Sequence, residues 1–341
     1  MRRTQSKMFD ALHRALLITY LVFCIFSSAF AYSGSGQGTV DNPYVIANFS
    51  QLCEMATVDD AITAYWELGA DIDASDSNIM NMGEGWMPIG ENWMDPFSGQ
   101  FDGKYHTISN LYINTIATQY VGFFGCISGT VKNLYLTDIF YINGGLGQTT
   151  GSLCGDLFGG TISHCYSSGT ITATIPFGSS SLTAGGLVGW AEGTIINCYS
   201  LVDINGTATG TKYIGGLVGD AIPDDPELST IIINCYSAGV ITGTGTYIGG
   251  FCGKKGSAII YSCYYSALSG QTDTGKGLLT SDANMKKEAT FTNWDFDSVW
   301  GLGENQTYPY LRTRPSADLN GDGVVNLADF AVFAGQWLKG T

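Results

Sequence analysis

The sequence has few of the residues on which most catalytic and nucleic-acid-binding sites depend. Only 3 of 341 residues are His, charged residues make up 13% of the chain, and residues 32–270 contain no Arg. The chain carries 30 acidic and 15 basic residues, which gives a formal net charge of −15. Such a chain repels phosphate backbones and anionic lipid headgroups. The charge argues against nucleic-acid binding and favours divalent cations.

Long apolar runs are also scarce, and the one that stands out lies at the N-terminus. Four basic residues precede an apolar run over residues 15–26, and Ala29 and Ala31 follow it. This arrangement predicts a signal peptide, residues 1–31, cleaved after Ala31. The run is shorter than a membrane span of about 20 residues, although an uncleaved anchor is the alternative. We expect a mature chain that is extracellular or on the cell surface and is not an integral membrane protein.

Glycine is abundant, with 46 residues, and it marks an internal repeat. The segment Gly-Gly-Leu-Val-Gly at residues 185–189 has counterparts at residues 121–125, 151–155, 215–219 and 249–253. Repeats of 30 to 34 residues hold two or three short strands separated by Gly turns. Units this short cannot bury a core alone, so they must stack. The repeat predicts an all-β fold, a right-handed parallel β-helix over residues 32–312; a propeller, whose blades need longer repeats, is the alternative.

A second element of each repeat pairs an apolar position with a tyrosine. The apolar position exchanges Leu and Cys, so we expect it to face inward and most of the nine cysteines to be reduced core thiols, with disulfides as the alternative. Strand alternation then turns the tyrosines outward, in a ladder with a spacing of about 4.8 Å. The ladder stabilises the sheet by itself; a glycan-contacting stripe is the alternative. The ladder tyrosines are Tyr135, Tyr166, Tyr199, Tyr236 and Tyr264.

The Gly-Gly-Leu-Val-Gly segment resembles the GLUG motif of a family of secreted repeat proteins. Three further stretches resemble parts of that family: residues 41–46 its entry strand, residues 101–111 its first rung and residues 291–311 its last segment. The resemblance covers roughly residues 34–312. It implies the fold, secretion and a surface or adhesin-like role, and it implies no particular chemistry.

Carboxylates and histidines were weighed as catalytic candidates, because some parallel β-helices cleave polyuronates. Asp71 and Asp73 share one strand face, yet the basic partner that such a reaction needs is missing. His106 reads as structural, and His164 fills a repeat position that elsewhere holds Asn or Ser, which is typical of a turn. Residues 224–227 read as a solvated acidic loop. The sequence therefore predicts no catalytic residue.

The C-terminus carries the sharpest chemical motif. Residues 318–329 place oxygen donors at loop positions 1, 3, 5, 9 and 12, with Gly323 at position 6 and a backbone carbonyl at position 7. Oxygen donors in this number suit a hard cation, so the predicted cofactor is calcium. An amphipathic helix follows, with its apolar face at Phe330, Phe333, Ala334, Trp337 and Leu338. The predicted ligands are Asp318, Asn320, Asp322, Val324, Asn326 and Asp329.

Loop and helix together resemble one type I dockerin repeat, in a segment of linker and half-dockerin over residues 313–341. The resemblance implies a cohesin-like or cell-surface partner. A complete dockerin has two repeats, and loop positions 10 and 11 hold Leu327 and Ala328 in place of hydroxyl-bearing residues. The first interpretation is therefore a structural or binding surface protein with a calcium-binding tag. The alternative is a glycan-binding or enzymatic component of extracellular polysaccharide degradation.

Overall fold

The computed structural model describes residues 32–116, 118–143, 148–175, 181–208, 210–225, 227–243, 246–273 and 276–313. The predicted signal peptide and the predicted calcium ligands lie outside these described residues.

The N-terminal part is irregular before the repeats begin. Helix α1, Phe49–Glu54, starts at Asn48, whose side-chain oxygen accepts a hydrogen bond of 3.0 Å from the Gln51 N–H. Two 3-10 helices follow, at Met55–Thr57 and at Ser75–Gly83. The strands of this part are β1 Tyr44–Ile46, β2 Tyr65–Leu68, β3 Ile72–Asp73, β4 Gln100–Asp102, β5 Thr107–Ser109 and β6 Tyr112–Thr115.

The repeats supply the next nineteen strands, most of them short and rich in Ile, Val, Thr and Tyr. They are β7 Tyr120–Val121, β8 Phe124–Ile127, β9 Thr130–Lys132, β10 Tyr135–Asn143, β11 Thr149–Gly151, β12 Cys154–Ser163, β13 Tyr166–Ile175, β14 Leu182–Gly185, β15 Val188–Ile196, β16 Tyr199–Ala208, β17 Lys212–Gly215, β18 Val218–Asp220, β19 Ile231–Ile233, β20 Tyr236–Ser237, β21 Ile241–Gly243, β22 Tyr247–Gly249, β23 Cys252–Lys254, β24 Ile259–Tyr261 and β25 Tyr264–Ser266.

The last described part of the chain consists of short strands and 3-10 helices. Three 3-10 helices lie at Ala267–Ser269, Asn284–Lys286 and Glu288–Thr290. Residues 281–312 are called the closing segment below. The last strands are β26 Leu278–Thr280, β27 Trp300–Gly301 and β28 Tyr310–Leu311, of which β27 and β28 pair antiparallel.

Three parallel sheets enclose one core, which confirms the predicted parallel β-helix. Sheet 1 has 11 strands and follows the order β1-β2-β4-β9-β12-β15-β18-β23, with β8, β19 and β24 beside this path. Sheet 2 has 10 strands in the order β26-β25-β20-β16-β13-β10-β5-β3, with β6 and β21 beside it. Sheet 3 has 5 strands in the order β22-β17-β14-β11-β7. Every rung between the two ends is thus bonded to the rungs before and after it.

Glycine is required at the corner between sheet 3 and sheet 1. A Cβ atom on Gly186 would lie 2.1 Å from the carbonyl oxygen of Gly216 on the next rung and 2.1 Å from Ser200 Oγ. The neighbouring Leu187 is fully buried. The Gly-Gly-Leu-Val-Gly repeat is therefore the sequence of a tight corner that sends its Leu into the core.

Two apolar cores result, one on each face of the sheet 2 strands. The inner core fills the β-helix and includes Leu187, Cys198 and Phe251. The outer core lies between sheet 2 and the closing segment. Its buried members are Tyr135, Tyr199, Tyr236, Tyr264, Met285, Phe291, Trp294, Trp300 and Leu311.

Candidate functional site

The predicted Tyr ladder exists, and its rings stack along sheet 2. Ring centroids are 4.5 Å apart from Tyr135 to Tyr166, 4.6 Å to Tyr199 and 4.8 Å to Tyr236. Strand pairing continues the register to Tyr264, whose ring contacts Phe291 with centroids 4.9 Å apart. The spacing equals the strand spacing of a sheet, so the ladder follows directly from the register of the rungs.

The closing segment covers three of the five ladder tyrosines, Tyr199, Tyr236 and Tyr264. Tyr236 is 1% exposed and Trp300 is 0% exposed. The Tyr236 hydroxyl donates to the Pro309 carbonyl at 2.7 Å, and Trp294 Nε1 donates to the Ser262 carbonyl at 2.9 Å. The tyrosines face outward from the β-helix, as predicted, and aromatic side chains of the closing segment pack on the outer side of Tyr199, Tyr236 and Tyr264.

The cysteine position lies inside the β-helix, as predicted. Cys165, Cys198 and Cys235 are fully buried, and the backbone N–H of each of the first two lies 3.4 Å from the Sγ of the next. The 8 cysteines of the described residues are all free thiols. Burial, the largest cause, raises the pKa of the Cys126 and Cys154 thiols well above the usual value, so these groups stay neutral.

The asparagine position forms a left-handed corner between sheet 1 and sheet 2. The φ angles of Asn133, His164, Asn197, Asn234 and Ser262 lie between 51° and 53°. Asn tolerates this region better than most residues, because its short polar side chain bonds locally. His164 Nε2 lies 3.1 Å from Asn197 Nδ2, and His164 occupies a turn, as predicted.

Asp71 and Asp73 act as hydrogen-bond acceptors for neighbouring backbone and side chains. Asp71 Oδ1 lies 3.1 Å from His106 Nδ1 and accepts the Thr107 N–H at 2.9 Å. Asp73 Oδ1 accepts from Asn110 Nδ2 at 3.0 Å, and this bond lowers the pKa of Asp73. Both carboxylates thus fasten adjacent rungs, and His106 has the structural role that the sequence predicted.

A group of buried carboxyls on sheet 1 was missed by the sequence analysis. Asp156, Glu192 and Asp220 are 7%, 4% and 7% exposed. Burial, with the negative charges of Glu192 and Asp224 nearby, raises the pKa of Asp156 to about 7. Asp156 Oδ1 has no hydrogen-bond partner among the described residues. Glu192 accepts the Asp224 N–H at 2.6 Å, which ties the predicted acidic loop to this group.

The repeat alignment shows the position of two members of this group but not their burial. Asp156 and Asp220 directly follow the closing glycine of their segments, at the position held by Cys126, Trp190 and Lys254 in the other repeats. Strand pairing sets Asp156 opposite both Cys126 and Trp190, and Asp220 opposite Lys254. A position that changes from Cys to Asp, Trp and Lys carries no periodic signal, so its burial depends on the individual rung.

The predicted calcium ligands lie outside the described residues and stay a prediction. Their donor set, three Asp carboxylates, two Asn amides and a backbone carbonyl, is the oxygen chemistry that calcium prefers. Within the described ranges, no group of three or more His, Cys, Asp or Glu side chains is arranged to hold a metal ion.

The last rung of the β-helix borders an open cavity of about 440 Å³. Its lining comes from β24, from the corner before β25 and from the closing segment. Large apolar side chains lie exposed around it, with Ile259 56%, Tyr261 54% and Leu278 57% exposed. The lining residues are Ile260, Tyr261, Ser262, Cys263, Tyr264, Gly277, Leu278, Thr292 and Asn293.

Stacked parallel rungs with repeated Gly corners define a β-solenoid repeat protein. Residues 180–205 match the family model described as the GLUG motif. This matched stretch holds one Gly corner and one Asn corner, and it supports the interpretation of a GLUG-repeat protein.

Two curated proteins are similar in sequence to this chain. Halomucin of Haloquadratum walsbyi is 33% identical over 214 residues, which cover 54% of this chain and 2% of halomucin. A protein of Evansella cellulosilytica, provisionally named Gly-rich membrane protein, is 29% identical over 127 residues, 35% of this chain and 14% of that protein. The chain therefore spans a small fraction of each relative.

One solved structure shares the fold over most of its length. It comes from Bacteroides ovatus and is provisionally named an immunoglobulin A1 protease. The TM-score is 0.57 and the identity 20%, and the match covers 82% of this chain and 95% of that chain. At this identity the likeness shows the fold alone. In the part of this chain that the structure describes, no helix is both long and apolar enough to cross a membrane.

Proposed function

We propose that this chain is a secreted or cell-surface structural and binding protein, whose β-helix is a rigid spacer and whose C-terminal segment is a calcium-binding tag. The observation that carries the proposal is the continuous stack of registered rungs with an apolar core on each side of sheet 2. A rod of this kind resists bending because every rung is hydrogen bonded to its neighbours. The apolar side chains of its two cores hold the rungs together.

The names of the two relatives support a place at the cell surface. Halomucin and the Gly-rich membrane protein each match this chain through part of its length. Surface placement also requires export, for which the proposed device is the signal peptide of residues 1–31, cleaved after Ala31.

Protease treatment of intact cells tests the surface placement. The full chain with an epitope inserted after Thr313 is expressed in its own host, and cells are treated with protease before and after lysis. We expect the epitope to be removed from intact cells, or to appear in the medium, and the mature chain to start at Tyr32. Protection of the epitope until lysis would contradict the proposal.

Calcium uptake tests the tag. Isothermal titration of the mature chain, residues 32–341, should show one site that Asp318→Ala and Asp322→Ala abolish, because each removes a carboxylate ligand. Asp41→Ala, an exposed carboxylate in the described part, is the matched control and should leave uptake unchanged. Equal uptake by all variants would place the cation elsewhere.

A second candidate function follows from the resemblance of residues 318–338 to a dockerin repeat. It is a component of extracellular polysaccharide degradation, held by a cohesin-like partner. A polysaccharide array and a turnover assay on polyuronates, each with and without calcium, separate the two functions. Binding or turnover of one glycan class would favour this second function over the spacer.

A further inference from the structure

The N-terminal end of the β-helix carries an unbalanced negative charge. Residues 32–103, which form this end, contain 12 Asp and Glu residues and no Lys, Arg or His. The cations that follow in the chain are already paired, since Lys104 Nζ lies 3.4 Å from Glu67 Oε2 and Lys132 Nζ lies 3.5 Å from Asp102 Oδ2. This end of the molecule therefore attracts cationic partners and repels anionic ones.

A hydrogen-bonded turn projects from the same end. Residues 91–95 form this turn, which is called the Trp turn below. Parallel bridges join residues 89 and 97, on either side of it, to strand β8. Within the turn, the Met94 N–H donates to Asn92 Oδ1 at 2.9 Å. The turn leaves Trp93 57% and Met94 68% exposed, so a fixed backbone presents two large apolar side chains to solvent.

A cavity of about 380 Å³ lies beside the Trp turn. Its volume falls in the range of about 300–1,000 Å³ in which ligand pockets occur. Ile62, Met87 and Pro88 contribute to its apolar wall, and Met87 is 53% exposed. Glu91 and Asp95 also line it, and neither carboxylate has a hydrogen bond or an ion pair to another described residue. The cavity thus combines an apolar wall with two carboxylates that are available to a ligand.

We propose that the Trp turn and this cavity bind a cationic peptide segment of another protein. An apolar side chain of that segment enters the cavity beside Met87. Lys or Arg side chains next to it pair with Glu91 and Asp95 or lie over the Trp93 ring.

The charge of this end selects the partner. An acidic protein, including a second copy of this chain, is repelled by the 12 carboxylates of residues 32–103. A neutral glycan would leave Glu91 and Asp95 without a cationic partner. The inference goes beyond the proposed spacer and calcium tag, because it adds a binding surface where the β-helix begins and requires no calcium.

Fluorescence anisotropy with a short labelled peptide of alternating Lys and Leu tests this surface on the mature chain, residues 32–341. We expect Trp93→Ser to weaken binding by about tenfold or more, because a Trp contact often dominates the affinity of an interface. Ile259→Ser is the matched control, since it removes an apolar side chain that is 56% exposed at the other end of the β-helix. This control should bind the peptide like the parent.

A second pair of variants tests the charge. Glu91→Gln/Asp95→Asn should weaken binding about fivefold at low salt and by less at high salt, because salt screens exposed charges. Glu227→Gln/Asp297→Asn removes the same charge from exposed positions elsewhere and should change the affinity less than twofold.

Each other outcome overturns the proposed peptide site. Equal affinity of the parent and Trp93→Ser would mean that the peptide binds elsewhere on the acidic chain. Equal affinity for a peptide of alternating Glu and Leu would mean that charge does not select the partner. Binding of a neutral oligosaccharide in place of the peptide, lost in Trp93→Ser, would assign the surface to a glycan. A dimer mass in ultracentrifugation that Trp93→Ser abolishes would assign it to a second copy.

Discussion

The inner core and the outer core bury opposite faces of the same strands. The residues in contact within the inner core come from neighbouring repeats, whereas those in the outer core lie much farther apart in the sequence. In the inner core each side chain packs against the equivalent residue of the next repeat, as the Cys165, Cys198 and Cys235 column shows. In the outer core three ladder tyrosines are covered by a distant segment: Tyr236 bonds to Pro309, 73 residues later, and Tyr199 packs on Trp300, still farther apart in the chain. The inner core is a property of the repeat, whereas the outer core depends on one distant segment.

A charge in the inner core should have the largest effect. Leu187→Asp places an unpaired carboxylate among fully buried side chains and should lower the free energy of unfolding by more than about 4 kcal/mol. Leu201→Asp, the same change at a residue 36% exposed in the same repeat, should cost about 0.5 kcal/mol or less. Urea unfolding followed by circular dichroism measures both. Similar values for the two variants would show that the inner core is not continuous.

The pH should act on the buried carboxyls of sheet 1 through Asp156. Its folded pKa of about 7 exceeds the ordinary value of 3.8, so its protonated form fits the fold and stability falls as pH rises from about 4 to 7. Asp156→Asn should therefore be more stable than the parent at pH 8, by up to about 4 kcal/mol, and equal to it near pH 3.5. Glu227→Gln, at an exposed site, should show no such pH-dependent gain. A constant difference across pH would refute the assignment.

Loss of the outer core should release the closing segment and leave the rungs intact. Trp300 is fully buried and its ring lies 6.1 Å from Tyr199 and 6.2 Å from Tyr236. Trp300→Ala should cost about 3 kcal/mol and expose residues 281–312 to limited proteolysis. Tyr310→Ala, 47% exposed on the neighbouring strand, is the control and should stay resistant. Simultaneous cleavage within β12 to β16 would mean that the two cores unfold as one unit.

The smallest effect should come from the corner that separates the two cores. Asn197 has φ 53° and directs Cys198 inward and Tyr199 outward. Asn197→Ala should cost about 1 kcal/mol, because an alanine side chain disfavours the left-handed region and loses the contact with His164. Asn197→Gly should cost less than Asn197→Ala, since Gly adopts this region freely. Thermal unfolding ranks the two, and the reverse order would argue against backbone strain as the cause.

Positions that recur in every repeat could be predicted from the sequence. The exchange of Cys with Leu located the inner core, and the constant tyrosine located the ladder and its spacing. The Asn corner was visible as well, because Asn, His and Ser share a tolerance for left-handed backbone. Each of these positions occurs in five repeats, so five residues together indicate whether the position faces the core, the solvent or a turn.

Features that occur once could not be predicted in the same way. Burial of the Tyr ladder depends on where Trp294 and Trp300 fold back, and no periodicity encodes that distance. The cluster of buried carboxyls that includes Asp156 depends on which residues the variable position holds in adjacent repeats. The cavity at the last rung depends on where the stack stops, which the repeat itself does not mark.

The closing segment also determines how the molecule carries mechanical load. A pull on the C-terminal side enters at Arg312 and passes through its bonds to Trp300 and Phe296 into the outer core. Because the aromatic side chains there touch the tyrosines of several rungs, the load is shared in shear along the side of the rod. Without that segment the same pull would enter at β26 and peel it from β25 one hydrogen bond at a time. The aromatic contacts of the outer core thus let the stack of rungs withstand tension applied at its C-terminal side.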